Sequence, residues 1–241
     1  MGWRRSIRRA LWGFGYDIAH FTPTTHPTAR IRQLLRDRAV DTVLDVGANA
    51  GQFAHFLRED LGYRQRIISF EPLSAVYAQL AAKAAADPLW STHHFALGAA
   101  NERREINVSV NGVSSSILPM HPSVEQAVPA ARFYDRELIE IRTLDSIFDD
   151  ACAGATSIYL KLDTQGYEHQ VLTGAERVLP RIDIVQMEMA LMPLYEGEMR
   201  FGGLMELMQG LGYRLVGLEQ GSTDPHSGAI QQVDGIFCRG A

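Results

Sequence analysis

Four acidic residues in this sequence sit in or at the end of apolar runs: Asp45, Glu71, Asp163 and Glu188. A carboxylate delivered by a buried strand can hold a cation, accept hydroxyl hydrogen bonds or take a proton. Asp45 belongs to Val-Leu-Asp-Val-Gly-Ala-Asn-Ala-Gly-Gln over residues 43–52. Gly47 and Gly51 let a backbone approach a ligand closely, and the helix expected next offers unpaired N–H groups, so the stretch reads as a nucleotide-type cradle. It lacks the spacing Gly-x-Gly-x-x-Gly, and Asp45 ahead of the glycines suits an ammonium group better than a phosphate. The competing reading is a tight strand-to-helix turn in some other α/β protein.

Glu71 closes Ser-Phe-Glu-Pro over 69–72. The tip of a neighbouring strand is where an open α/β sheet places an acceptor for ribose hydroxyls, in adenosyl and dinucleotide ligands alike; a helix cap or an exposed acid is the alternative. Asp163 follows the apolar run Tyr-Leu-Lys-Leu over 159–162, and Gly166 frees the turn before a helix near Glu168. Asp163 is therefore a first candidate for an active site, with Glu168 and His169 able to face the same cleft. As simple alternatives, Asp163 caps the helix, Glu168 complements its dipole and His169 lies on the surface. Glu188 sits inside Gln-Met-Glu-Met over 186–189, where burial must be matched by a partner or a cleft, and a raised pKa would make it a general base. Ser114, Ser115 and Ser116 follow Asn111 and Gly112 as a hydroxyl-rich loop that lines a ligand or stabilises its own turn. Asp163, Glu168, Glu188 and His169 could converge on a hard cation, but their spacing demands no metal.

These residues need a scaffold of alternating strands and helices. Apolar runs predict strands at 42–46, 66–70, 92–97, 157–162 and 183–189, with helices at 28–38, 52–60, 73–86 and 167–178. Continuous apolar strands spaced by helices mean a parallel sheet covered on both faces. Residues 213–219 and 231–239 have only a polar loop between them and should pair antiparallel. Residues 100–142 break the rhythm, hairpin-like at 101–110 and irregular at 113–133, as a lid or acceptor-binding insertion would.

The chain has 241 residues, 46% of them apolar, with 23 basic and 28 acidic side chains. That supports one sizeable core and excludes a disordered or fibrous chain. Two cysteines, Cys152 and Cys238, form no disulfide framework or zinc spacing, which favours a reducing compartment. Neither a membrane span nor a secretory leader is evident, so a cytoplasmic protein is expected. The net charge of −5 is unevenly spread: residues 1–40 hold eight arginines against Asp17 and Asp37, leaving −11 on the rest. An acidic body argues against nucleic acid as a partner. Residues 1–27 form a basic arm in which Trp3, Arg4, Arg5, Ile7, Arg8, Arg9, Leu11, Trp12 and Phe14 suggest an amphipathic helix, ended by Gly13 and Gly15. It would rest on the inner membrane face or a partner, or dock its aromatic side on the domain formed by residues 28–241.

Taken together, the blocks over 45–52, 69–72, 96–98, 114–116, 143–146, 160–168 and 171–175 resemble the FkbM-type S-adenosylmethionine-dependent methyltransferases. The resemblance implies an α/β class I methyltransferase fold, a Rossmann-like doubly wound, mostly parallel seven-stranded sheet with an antiparallel C-terminal hairpin, in three α/β/α layers. It places Asp45, Gly47, Asn49, Gly51 and Gln52 around the methionine and ribose of S-adenosylmethionine, with Glu71 and Pro72 at the ribose hydroxyls. Ala96 and Leu97 would lie by adenine, and Asp163 between cofactor and acceptor. Asp163, Glu188 and His169 are the candidate catalytic groups, and Ser115, Ser116, Gln165 and Glu168 the acceptor contacts. Such a family implies O-methylation of a sugar hydroxyl, in a glycolipid or surface glycan, or of a polyketide-type natural product. Thr164-Gln165 departs from the commoner branched residue followed by Glu, which bears on the acceptor more than on the reaction. The rivals are a nicotinamide-dependent oxidoreductase and a noncatalytic cofactor-binding module. A homodimer is the oligomeric form to test.

Overall fold

The computed structural model describes residues 2–224 and 227–240, and only the backbone at residues 2–4 and 126. The side chains of Trp3 and Arg4 thus lie outside the described residues. After α1 (Gly2–Trp12) and α2 (Pro27–Asp37), strands and helices alternate: β1 (Thr42–Val46), α3 (Gln52–Glu59), β2 (Arg66–Phe70), α4 (Ser74–Ala84), β3 (Trp90–His93) and β4 (Ala96–Leu97). Then come β5 (Glu102–Ser109), α5 (Pro122–Ala127), β6 (Phe133–Arg142), α6 (Leu144–Ala151), β7 (Ile158–Leu162), α7 (Glu168–Thr173), β8 (Ile184–Ala190), α8 (Phe201–Gly210), β9 (Tyr213–Gln220) and β10 (Gln232–Arg239).

Seven strands form one sheet in the order β3-β2-β1-β7-β8-β10-β9. The pairs from β3 through β8 are parallel, and β10 runs antiparallel to both its neighbours, β8 and β9. Alternate residues of each strand enter opposite layers, as the two-residue strand period dictates. Val43 of β1 and Tyr159 of β7 pack with Ile31 and Leu35 of α2 and Leu57 of α3. Leu44, Val46, Leu160 and Leu162 face the other way, onto Phe148 of α6, Val171 of α7 and Leu204 of α8. Both faces are therefore covered, and all five residues of β1 and of β7 are buried.

Three expectations need correction. Residues 92–97 are not one strand: the chain bends at His94 and Phe95, β3 stays at the edge of the main sheet and β4 joins a second sheet, β4-β6-β5. The bend seats Phe95 against Phe70, at 5.6 Å between ring centroids, while His93 stacks on the same ring at 5.2 Å. The strand at 102–109 finds its partner far along the chain, pairing antiparallel with β6 (Glu102↔Ile141 through Ser109↔Phe133), and the intervening segment holds α5. The helix expected over 167–178 ends at Thr173, and its C-cap Gly174 packs so closely on Gly98 that a Cβ would sit 1.9 Å from the Gly98 carbonyl oxygen. Two helices, α6 and α8, occupy stretches where no element was expected.

Candidate functional site

The carboxyl ends of β1, β2, β4 and β7 surround a cavity of about 280 Å³, close to the small end of the roughly 300–1,000 Å³ typical of small-molecule sites. At its base the chain leaves β1 through Gly47, whose φ is +74°. A Cβ there would lie 1.9 Å from the Asp163 carbonyl oxygen, so only glycine lets the tips of β1 and β7 close together. Asp163 N–H donates to the Val46 carbonyl at 3.0 Å across the same junction. Asn49 takes a left-handed φ of +47°. Its side-chain oxygen accepts from Ala50 N–H at 2.7 Å and Gln52 Nε2 at 3.0 Å, while Nδ2 donates to the Gly112 carbonyl at 2.7 Å. The loop at 112 is thereby tied to the glycine turn.

Glu71 is held by backbone alone: Oε2 accepts from Asn49 N–H and Oε1 from Leu73 N–H, each at 2.9 Å. Burial pushes its pKa up to about 7, against the lowering effect of those two amides. Leu73, Ala96, Leu97 and Ile106 continue this wall as an apolar slot.

The opposite wall is built from side chains. Asp163 accepts from Lys161 Nζ at 3.0 Å and from Gln165 Nε2 at 2.8 Å. Gln165, at a φ of +53°, donates from the same nitrogen to Glu188 Oε2 at 2.8 Å, and its oxygen accepts from Tyr195 Oη at 2.8 Å. Gln232 Nε2 also donates to Glu188 Oε2, at 2.8 Å. Burial pushes the Asp163 carboxyl up, but the Lys161 charge and the two hydrogen bonds outweigh it and hold it below the usual range. Glu188 is driven well above its usual value by burial and then by the negative charge of Asp163. Asp234, opposite Glu188 on β10, is raised to about 6, first by burial and then by Asp163.

Of the residues singled out in the sequence, Gly47, Asn49, Gln52, Glu71, Pro72, Ala96, Leu97, Ser115, Asp163 and Gln165 line the cavity. The others stand behind it or away from it. Asp45 is fully buried beneath: Oδ2 accepts from Ser69 Oγ at 3.2 Å, and Oδ1 has no hydrogen bond but lies 3.6 Å from Lys161 Nζ. Gly51 faces Trp90, which a Cβ would meet at 2.7 Å. Ser116 Oγ donates to the Gln165 carbonyl at 2.7 Å, so it shapes the wall without reaching the space. Glu168 is buried, accepts from Thr164 N–H at 2.8 Å and is raised to about 7 by burial. His169 is half-buried on α7 and does not line the cavity. Among the described residues no group of three or more His, Cys, Asp or Glu side chains is arranged to hold a metal ion.

Lys161, Tyr195 and Gln232 were missed. Lys161 was legible: a lysine inside Tyr-Leu-Lys-Leu must find a partner, and Asp163 two residues on shares its side of the strand. Tyr195 and Gln232 come from a loop and from the far strand, with no local signal.

The sheet order, with β10 as its one antiparallel strand, is that of the class I methyltransferases. The family model described as "Methyltransferase FkbM domain" matches residues 45–215, and the chain belongs to that family. Its members' chemistry implies S-adenosylmethionine as cofactor. No curated protein matches the sequence. Among solved structures, the methyltransferase FkbM of Methylobacillus flagellatus KT is 17% identical with a TM-score of 0.48, over 81% of this chain and 43% of that one. This chain thus spans less than half the length of that protein. An rRNA methylase from Streptococcus thermophilus is 11% identical (TM-score 0.45, 89% and 96% covered). A TehB-like SAM-dependent methyltransferase from Corynebacterium glutamicum ATCC 13032 Kitasato is also 11% identical (TM-score 0.44, 98% and 97% covered).

Proposed function

We propose that the protein is an O-methyltransferase that uses S-adenosylmethionine to methylate a hydroxyl of a sugar, in a glycolipid or surface glycan, or of a polyketide-type natural product. The observation that carries this reading is the Asp163 carboxylate at the cavity wall, kept ionised by Lys161 and backed by Glu188. An alcohol is a weak nucleophile and gains most from a nearby proton acceptor.

The residues present fit the cofactor. Glu71 keeps lone pairs free on both oxygens to accept two ribose hydroxyls, and the apolar slot beside it accepts a flat ring. Gly47, Asn49 and Gln52 would flank the amino-acid end, with Asp45 buried beneath them beside Lys161. When bound, the cofactor supplies an electrophilic methyl group. The protein's part is to aim the acceptor oxygen in line with it and to take the hydroxyl proton on an Asp163 oxygen. Gln165 then links that oxygen to Glu188, while His169 has no part in the path. Ser115 and Gln165 would meet the acceptor, with Ser116 and Glu168 shaping the loops that carry them.

The unpaired, buried cysteines favour a cytoplasmic setting, and no helix among the described residues is long and apolar enough to cross a membrane. The acidic body disfavours nucleic acid as acceptor. The direct test is release of S-adenosylhomocysteine with a panel of glycolipids, glycans and polyketide alcohols, beside calorimetric titration with S-adenosylhomocysteine and with NAD. Binding of NAD alone would replace this reading with the oxidoreductase; binding of S-adenosylhomocysteine without turnover on any acceptor would favour the binding module.

A further inference from the structure

Apolar side chains left in water are concentrated in one short stretch. Ile7, Trp12, Phe14, Tyr16, Ile18 and Phe21 are between 48% and 78% exposed, within fifteen residues. Of the six, Phe21 touches the domain, under the Arg32 guanidinium of α2 at 5.3 Å from its ring centroid, and the other five remain largely in water. Helical spacing puts Ile7 and Leu11 on one stripe of α1 and Arg5, Arg8 and Arg9 on another. The chain then doubles back, with Tyr16 N–H donating to the Leu11 carbonyl at 3.0 Å. Asp17 takes Arg8 on both its oxygens, each at 2.6 Å, and accepts from Trp12 Nε1 at 3.0 Å. These bonds hold the aromatic segment beside the helix as a ready-made patch. Arg5 and Arg9 form no ion pair among the described residues.

We propose that residues 5–21 are a docking surface for an anionic lipid bilayer, with the arginines at the headgroups and the apolar side chains in the interface. Two features select lipid over a protein partner. The apolar groups come from a helix, a turn and an extended segment, an arrangement that suits an interface imposing no shape rather than a groove. Amphipathic Trp and Tyr rings favour that same boundary. The charge also matches: with −11 beyond residue 40, an anionic surface attracts the arm and repels the body. The proposal is independent of the methyl-transfer reading.

The test is co-sedimentation of the full chain with vesicles of phosphatidylcholine alone and of phosphatidylcholine mixed with phosphatidylglycerol, at low and high salt. The expected result is binding to the mixed vesicles, weaker in salt, and little to the neutral ones. Arg5→Gln with Arg9→Gln should lower partitioning roughly 30-fold, at about fivefold per arginine charge removed from the surface. Ile7→Ser with Phe14→Ser should lower it at least about tenfold. Circular dichroism checks that both variants stay folded. The proposal is overturned if the wild-type chain ignores phosphatidylglycerol, or if the arm variants bind like wild type. It is equally overturned if they instead convert a dimer to monomers with no vesicle binding, which would make the patch an interface between copies.

Discussion

Two carboxylates face each other across the cavity and are held in opposite ways. Glu71 is fixed by main-chain amides of Asn49 and Leu73, so its place follows from the course of the chain after β1 and β2. Asp163 is fixed by Lys161 and Gln165, and through Gln165 it is joined to Glu188 and Tyr195. Burial raises the first above its usual pKa, whereas a buried cation holds the second below its own. The difference teaches that the Glu71 wall is set by backbone geometry, and the Asp163 wall by a side-chain network that single substitutions can retune.

The contrast breaks most sharply at Asp163. Asp163→Asn is expected to cut turnover by about 10²–10⁴-fold, while S-adenosylhomocysteine affinity measured by calorimetry changes less than about threefold. Lys161→Met removes the cation lying between Asp45 and Asp163. Leaving those carboxylates uncompensated should cost about 3–5 kcal/mol, read as a lower urea midpoint. Replacing Glu71 tests the other wall. A carboxyl raised from 4.5 to about 7 on folding contributes stability that is complete below pH 4.5 and lost as pH rises through 7. Glu71→Gln should therefore gain on the order of 3 kcal/mol relative to wild type between those limits, seen in thermal midpoints across pH. The same variant should lose the rise in S-adenosylhomocysteine affinity expected as Glu71 ionises near pH 7. The smallest effect is expected for Gln165→Ala, which removes a hydrogen-bond donor from both Asp163 and Glu188. Turnover should drop about tenfold or less, with the acidic limb of the kcat profile moving to higher pH because both carboxylates lose a stabilising bond.

The backbone-held wall was the more legible in the sequence. The fully buried runs of β1 and β7 lead into turns that contain glycine, β2 is buried at all but its first residue, and the limits of all three agree with the sequence pattern within a residue. Where pairing is distant the local pattern misleads. In β6, Ile139 and Ile141 are buried but Tyr134 and Leu138 are 65% and 62% exposed, so no clean alternation marks the strand. The same holds for the network around Asp163. Its members arrive from β7 and the loop after it, from β8 and the loop after it that holds Tyr195, and from β10, three stretches separated in the chain. Helix α6 does carry a local signal, the N-cap Thr143, whose side chain accepts from Ser146 N–H at 3.2 Å.

The placing of β10 between β8 and β9 has a consequence for biosynthesis. While the ribosome is still adding residues up to 231, β8 presents an open edge and β9 has no neighbour in the sheet. Gln232 is also absent until then, so Glu188 lacks one of its donors. The closing of the β8 edge and the completion of the Glu188 hydrogen bonds thus wait on the same strand, and a nascent chain stalled before it would expose an apolar strand edge to chaperones.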